Sequence, residues 1–329
     1  MRWFRRKLRC PYKLTKHSSL GNVFMVCIHS IGVMDSHKCN QEMKRAVRYF
    51  QKICSKPGWP NDVDGLILAW IRNSENTHFG HSHTWNRNLS EDVFQRVAHM
   101  KLFNADGSEA ETSGNGLCCL GQAIARVLKV EKGVFQIIDE VKRTDFRKEV
   151  TVHNGLFDES KVKTTMGFPY FGGDEQNRDA KAVVSPIAED AIYVNVGNPH
   201  IVARVKDLTE VEIAKHGKMA EIHFGTPVNV EFIVPGTDRR SLEMKVWERG
   251  VGVTEACGTG AVASVAACEK WGLVDFGADS EISVKMPGGE AVVSWEESSG
   301  AKLSGTKNLS SIPMVYSTQV KYLGEYDPA

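Results

Sequence analysis

The feature that most constrains how this chain folds is an internal repeat. Glu111-Thr112-Ser113-Gly114-Asn115-Gly116 lines up with Glu255-Ala256-Cys257-Gly258-Thr259-Gly260, and each string runs into a helical stretch of small residues. Upstream, Leu20-Gly21-Asn22 followed by Val26 lines up with Val196-Gly197-Asn198 followed by Val202, each inside a β-rich run. Glycine-rich matches arise readily by chance, so neither pair carries weight alone. Their shared order and shared downstream helix imply a duplicated unit. With 329 residues the chain is long enough for two such units of ~150 residues each.

Composition narrows the class of protein. At 42% hydrophobic and 25% charged residues the chain reads as an ordinary soluble globule. Lys+Arg 41 against Asp+Glu 40 leaves a net charge of +1, so no global field favours a nucleic acid. No apolar run approaches the ~18–20 residues of a spanning helix, and no membrane partner is expected. The eight cysteines (10, 27, 39, 54, 118, 119, 257, 268) include no CxxC pattern, which points away from a zinc knuckle or a disulfide framework and toward a reducing, cytoplasmic setting. The first acidic residue is Asp35, preceded by seven Lys and Arg residues. Residues 1–12 therefore read as a basic N-terminal tail, since Leu14 to Ile28 already has the pattern of a strand, a turn and a strand.

Further along, residues 40–55 have helical spacing, with Met43, Ala46, Val47, Phe50 and Ile53 on one face and Pro57, Gly58 and Pro60 as the stop. The clearest helices are 116–129 and 260–271, each opening after its glycine-rich turn. Ile282–Met286 and Ala291–Trp295 alternate as strands. The polar stretch 72–92 holds His78, His81 and His83, but without a carboxylate or thiolate at fixed spacing it reads as a solvated loop, and no metal site is expected. The whole is a mixed α and β chain of many short strands and few long helices.

The repeat also suggests chemistry. A Gly-x-Gly turn opening a helix presents backbone N–H groups at the positive end of the dipole, a setting for a carboxylate or phosphate. If the halves face each other, both turns converge on one anion, with Ser113 and Cys257 over opposite faces of the ligand. A cysteine at a helix start has a stabilised thiolate and can act as base or nucleophile. The plain alternative for Cys257 is an inert buried thiol; its position between the strand and a glycine-led helix favours a functional reading.

At these residues the chain resembles the diaminopimelate epimerase family, cofactor-independent amino-acid racemases. The resemblance runs from about Lys13 to Glu325. It is carried by Phe103-Asn104-Ala105-Asp106-Gly107-Ser108-Glu109-Ala110-Glu111 leading into Ser-Gly-Asn-Gly, by Gly197-Asn198-Pro199-His200, by Val228-Asn229-Val230-Glu231-Phe232, and by Trp247-Glu248-Arg249-Gly250-Val251-Gly252 leading into Ala-Cys-Gly-Thr-Gly-Ala. The resemblance implies an α+β fold of two pseudo-symmetric domains, each a curled, mostly antiparallel sheet around a central helix. Residues 13–154 would form the first, with 305–329 returning to it, and 155–304 the second. It implies epimerisation of LL-diaminopimelate to the meso form by an acid and a base on opposite faces of the α-carbon, with no cofactor. A small amino acid would be the only partner, and a homodimer is a possible assembly.

By the same resemblance, Cys257 is one member of the acid–base pair. Backbone groups at Gly114, Asn115, Gly258 and Thr259 would hold the α-carboxylate and stabilise the carbanion. Asn22, Asn104, Asn198, Asn229, Glu248 and Arg249 would bind the remaining ammonium and carboxylate groups, Arg249 offering its planar fork to the distal carboxylate. His200 and Glu248 would support proton transfer.

The pattern breaks at Ser113, which stands where the family carries its other cysteine. A serine hydroxyl forms no appreciable oxyanion near neutral pH, so Ser113 can donate a proton but is no resting base unless a neighbour such as His200 or Glu248 activates it. Val23 replaces a usual aspartate, Cys118 an arginine, and Trp59–Gly65 a more glycine-rich loop, so change is concentrated in the first half. Cys118 and Cys119 lie far enough into the helix to read as core. Two other readings therefore stand beside the epimerase: a one-base isomerase or lyase on another amino acid, and a weakly active or silent substrate-binding protein.

Overall fold

The computed structural model describes residues 13–31, 36–54, 60–72, 94–111, 113–139, 147–185, 187–275, 280–295 and 313–326. The basic tail 1–12 and the three histidines of the 72–92 stretch lie outside the described residues. The first repeat comprises β1 (Leu14–Ser19), β2 (Asn22–Ile31), α1 (Ser36–Cys54), β3 (Gly65–Arg72), β4 (Phe94–Asn104), α2 (Gly114–Leu128), β5 (Gly133–Asp139), β6 (Arg147–His153) and β7 (Glu159–Gly167). A short β8 (Tyr170–Phe171) and α3 (Asp174–Val184) lead into the second. That repeat comprises β9 (Asp190–Asn195), β10 (Pro199–Arg204), α4 (Ile213–His223), β11 (Asn229–Pro235), β12 (Ser241–Glu248), β13 (Gly252–Thr254), α5 (Gly258–Lys270), β14 (Glu281–Met286), β15 (Gly289–Trp295) and β16 (Met314–Tyr326).

The duplication is written in the strand pairing. From β1 to β7, successive neighbours pair antiparallel, parallel, antiparallel, parallel, antiparallel and antiparallel. From β9 through β10, β11, β12, β14 and β15 to β16, the succession is the same. In each repeat both parallel pairs are bridged by a helix, as a parallel crossover requires. The final strand β16 pairs with β7 and β15 and, through its C-terminal part, with β1, which closes the first half's sheet on itself and joins the halves into one continuous sheet.

Each curled sheet wraps a helix that is buried on all sides over most of its length. α2 is buried from Gly114 to Ala125 and packs against β1, β2, β3, β6, β7 and β16. α5 is buried from Gly258 to Cys268 and packs against β9 to β12 and β14 to β16. Such helices are stabilised by burial on every side, which is why glycine, alanine, valine and cysteine serve where an amphipathic stripe would fail. The crossover strands are covered on both faces. In β3, Ile67, Ala69 and Ile71 face α2, whereas Leu66, Leu68 and Trp70 lie under Ala46 and Phe50 of α1. In β11, Val230 and Phe232 belong to the outer layer with α3 and α4, and Ile233 faces inward. Double burial gives these strands their near-continuous hydrophobic runs.

The expected strand, turn and strand at Leu14 to Ile28 is a two-residue hairpin, Ser19 opposite Asn22, with Leu20 and Gly21 both in the left-handed region at φ 49° and 84°. The helices expected at 116–129 and 260–271 begin two residues earlier, at Gly114 and Gly258. The glycines form the first helical turn itself. Cys118 and Cys119 are fully buried, and burial pushes both thiols well up. A polar staple holds the first half together, in which buried His17 meets Gln122 Oε1 at 2.7 Å and Gln122 donates to Ser160 Oγ at 2.9 Å and to the Val320 carbonyl at 3.1 Å. Burial lowers the pKa of His17 to about 4.

Candidate active site

The two central helices start alike and start against each other. Ser113 and Cys257 are their N-caps, both in extended backbone (φ −109°, ψ 127° and φ −127°, ψ 112°). Ser113 Oγ accepts from the Gly116 amide at 3.1 Å, and Cys257 Sγ from the Gly260 amide at 3.3 Å. Each side chain satisfies an amide that the first helical turn leaves without an intrahelical partner. Between them the backbones nearly touch: a Cβ added to Gly114 would lie 3.2 Å from the Gly258 Cα, and one added to Gly258 would lie 3.0 Å from the Gly114 Cα. A side chain at either position would press on the facing backbone, so glycine at both suits this approach. Two positive helix ends facing one point make that point favourable for an anion.

A cleft of about 780 Å³ opens at this meeting point. Asn22, Asn104, Ser113 and Gly114 line it from the first half, and Asn198, Asn229, Glu248, Arg249, Cys257, Gly258 and Thr259 from the second. Asn115 and His200 do not line it and stand directly behind it. Asn115 Nδ2 donates to Asn22 Oδ1 at 2.6 Å, while its Oδ1 accepts from Tyr316 OH at 2.6 Å and Ser19 Oγ at 3.1 Å. The repeat alignment has a counterpart in these bonds: Asn22 meets Asn115 of α2 in one half, and Asn198 Nδ2 donates to Thr259 Oγ1 of α5 at 3.2 Å in the other.

The first half brings Asp64, Asp106, Glu109 and Glu111 to the cleft wall, while the second places its ionisable groups around Cys257. His200 is fully buried, with Nδ1 2.8 Å from Glu231 Oε1 and Nε2 3.0 Å from Asn198 Oδ1. Glu248 Oε1 accepts from Thr254 Oγ1 at 2.5 Å, and its carboxyl lies close enough to Cys257 for the two to act on each other electrostatically. Burial raises the Glu248 pKa, opposed by the Thr254 bond and reinforced by the charge of Glu231. Burial, then Glu248 and Glu231, push the Cys257 thiol well above its usual range, while bonds from Thr259 and the Gly260 amide pull the other way. These surroundings run against the sequence expectation of a ready thiolate: burial and the carboxyls of Glu248 and Glu231 raise the Cys257 thiol in spite of the helix start. The expected activation of Ser113 by His200 or Glu248 is not seen either, since the bonds of both run to partners in the second half.

Arg249 is held at the cleft by its partners. Its Nη2 meets Glu111 Oε2 at 2.8 Å across the halves, and its backbone amide donates to Asn229 Oδ1 at 2.9 Å. A ligand carboxylate reaching Arg249 would have to share the guanidinium with Glu111. Three residues of the site escaped sequence reasoning. Glu111 was detectable, as the repeat partner of Glu255. Glu231, inside a hydrophobic strand, and Tyr316, far along the chain, come to the site only through strand pairing.

The registers show how the halves differ. In the first, Phe24 pairs with Gly65 and Val26 with Ile67; in the second, His200 pairs with Asn229 and Val202 with Glu231. With Asn22 matched to Asn198, His200 occupies the place of Phe24 and Glu231 that of Ile67. The helices agree: a Cβ on Gly116 would come 3.5 Å from Ile67 Cδ1, and one on Gly260 would come 2.5 Å from Glu231 Oε1. An apolar pair behind Ser113 is thus an acid–imidazole pair behind Cys257.

Solved structures with this architecture include a hydroxyproline epimerase from Agrobacterium vitis, with TM-score 0.60 and 12% identity over 96% of this chain and 90% of that one. A Bacillus anthracis phenazine biosynthesis protein of the PhzF family matches with TM-score 0.58 and 13% identity over 97% and 99% of the two chains. At these identities the likeness is one of fold. The diaminopimelate epimerase of Bacillus cytotoxicus is 36% identical over 217 residues, which cover 63% of this chain and 73% of that protein. The diaminopimelate epimerase of Halothermothrix orenii is 34% identical over 221 residues, 64% of this chain and 75% of that protein, and the diaminopimelate epimerase family model matches residues 192–308. The chain belongs to the diaminopimelate epimerase family.

Proposed function

We propose that the protein epimerises LL-diaminopimelate to meso-diaminopimelate, with Cys257 on one face of the α-carbon and Ser113 on the other. The observation that carries this reading is the meeting of two helix starts at Gly114 and Gly258, each capped by a proton-bearing side chain. The α-carboxylate would lie on the converging amides and the ammonium by Glu248 and the asparagines. An arriving ammonium supplies the positive charge that the carboxylates around Cys257 lack and so brings its thiol down. The thiol proton then passes to Glu248, the thiolate takes the Cα proton, and the amides of both helices stabilise the carbanion. Ser113 delivers its hydroxyl proton to the opposite face and regains one through cleft water, which takes the proton left on Glu248 and so returns every group to its starting state. A serine in this place slows both directions alike, because both pass the same transition state; the equilibrium is unchanged.

A second reading is favoured by one observation: the ionisable groups bonded around the helix starts stand on the Cys257 side. In that case Cys257 exchanges the proton of one face without inversion. Incubating LL- and meso-diaminopimelate separately in heavy water, and following Cα deuterium and product chirality, separates the two. Inversion with deuterium uptake supports the epimerase, uptake with retained chirality the one-base enzyme, and binding with no uptake a silent binding protein.

A further inference from the structure

Behind Cys257 runs a chain of hydrogen bonds in which every donor from His200 Nε2 onward can point toward the sulfur. Glu231 Oε1 lies 2.8 Å from His200 Nδ1, His200 Nε2 lies 3.0 Å from Asn198 Oδ1, Asn198 Nδ2 donates to Thr259 Oγ1 at 3.2 Å, and Thr259 Oγ1 lies 3.4 Å from Cys257 Sγ. Glu231 and His200 are fully buried, and Asn198, Thr259 and Cys257 nearly so. With Asn198 turned this way, its carbonyl can accept a hydrogen from Nε2, and Glu231 Oε1 can accept one from Nδ1. Thr259, having accepted from the amide, keeps its own hydrogen for Cys257. The corresponding places in the first half, Phe24 and Ile67, can send no such chain.

We propose that Glu231 is a positioning residue that sets the direction of this chain, so that the Thr259 hydroxyl donates to the Cys257 sulfur and favours its thiolate. The proposal rests on Cys257 as the proton carrier, and it reaches the sulfur through three intermediaries without touching substrate. An uncharged residue at 231 leaves His200 with one N–H, retained on Nδ1. Its Nε2 then accepts, the Asn198 amide turns over to donate to it, and Thr259 spends its hydrogen on the freed Asn198 oxygen. The sulfur loses its hydroxyl donor although no residue that touches it has changed.

The sign of the effect separates this account from simple charge removal. Besides this chain, the groups facing Cys257 are Glu248 of β12, Tyr316 of β16 and the Gly260 amide of α5. If Glu231 acted only through its charge, removing it would ease thiolate formation. The test follows carbamidomethylation of Cys257 by iodoacetamide against pH, read by peptide mass spectrometry on the full chain without substrate, so that it stands or falls apart from the identity of the substrate. Glu231→Gln is expected to slow alkylation about tenfold below the midpoint and to move the midpoint up, the loss of one bond to a charged sulfur. Thr259→Val, at the cleft, is expected to do the same, Thr259→Ser to restore the wild-type profile, and Glu231→Gln on Thr259→Val to slow the reaction no further. Faster alkylation or a lower midpoint in Glu231→Gln would overturn the proposal. If that variant does not fold, a Thr259→Val profile that matches wild type overturns it alone.

Discussion

The two halves share one pairing pattern, one central helix each and one way of starting it, yet they have been furnished differently. The first half sets Phe24 and Ile67 behind a serine N-cap, and its buried histidine, His17, is held by an amide and a hydroxyl as a neutral ring. The half that begins near Asn198 sets His200 and Glu231 behind a cysteine N-cap, with Glu248 alongside. Backbone geometry is thus inherited from the duplication, whereas the capacity to move protons is a matter of side chains placed on it. The difference teaches that the symmetric frame provides two facing sites, and that the second half sets a buried acid–imidazole pair behind its N-cap where the first sets an apolar pair.

The sharpest break in this comparison is expected at the N-caps. Cys257→Ala is expected to lower Cα hydrogen exchange by about 10³-fold, within the usual range for removing an acid–base group, measured as deuterium uptake by proton NMR. Acid stability comes next. Unfolded His17 takes a proton near pH 6.5, whereas the folded ring stays neutral down to about 4, so its contribution is present above 6.5 and is lost as pH falls through that window. Urea unfolding of wild type against His17→Gln is expected to show about 3 kcal/mol more loss in the wild type between pH 7 and 4.

Equivalent glycines give a smaller contrast. Gly260→Ala drives a Cβ within 2.5 Å of Glu231 Oε1, whereas Gly116→Ala meets the Ser113 Cβ at 3.2 Å and Ile67 Cδ1 at 3.5 Å. The first is expected to destabilise by about 2 kcal/mol and the second by less than about 1 kcal/mol, helix propensity favouring alanine in both, read as urea midpoints. Smallest is the repair: Ser113→Cys is expected to raise inversion about tenfold in both directions, because a thiol is the better acid but still has no Glu248 or Glu231 beside it. An unchanged rate would mean that the hydroxyl is not the second proton donor.

Much of the frame was legible in the sequence because it repeats. Leu20-Gly21-Asn22 and the two glycine-led helices announced paired halves, and alternation gave β14 and β15 within a few residues. The helix starts were read two residues late because glycine by propensity belongs to turns, while here the caps at Ser113 and Cys257 and the Gly114–Gly258 approach override it. Glu231 was hidden for a different reason. In Asn229-Val230-Glu231-Phe232-Ile233 one acid interrupts a strand covered on both faces, and only the register with β10 shows that it lies beside His200. The raised Cys257 thiol was likewise out of reach, since it depends on burial and on two carboxylates brought in by strand pairing.

The central claim is that proton abstraction belongs to the Cys257 half. Start from each diaminopimelate isomer in heavy water and compare loss of the Cα proton with inversion in the same tube. The account predicts that one isomer, the one presenting its proton to Cys257, exchanges ahead of inversion, that the other exchanges only as fast as it inverts, and that both processes fall about 10³-fold in Cys257→Ala. Equal exchange ahead of inversion from both isomers, or exchange undiminished in Cys257→Ala, would contradict it.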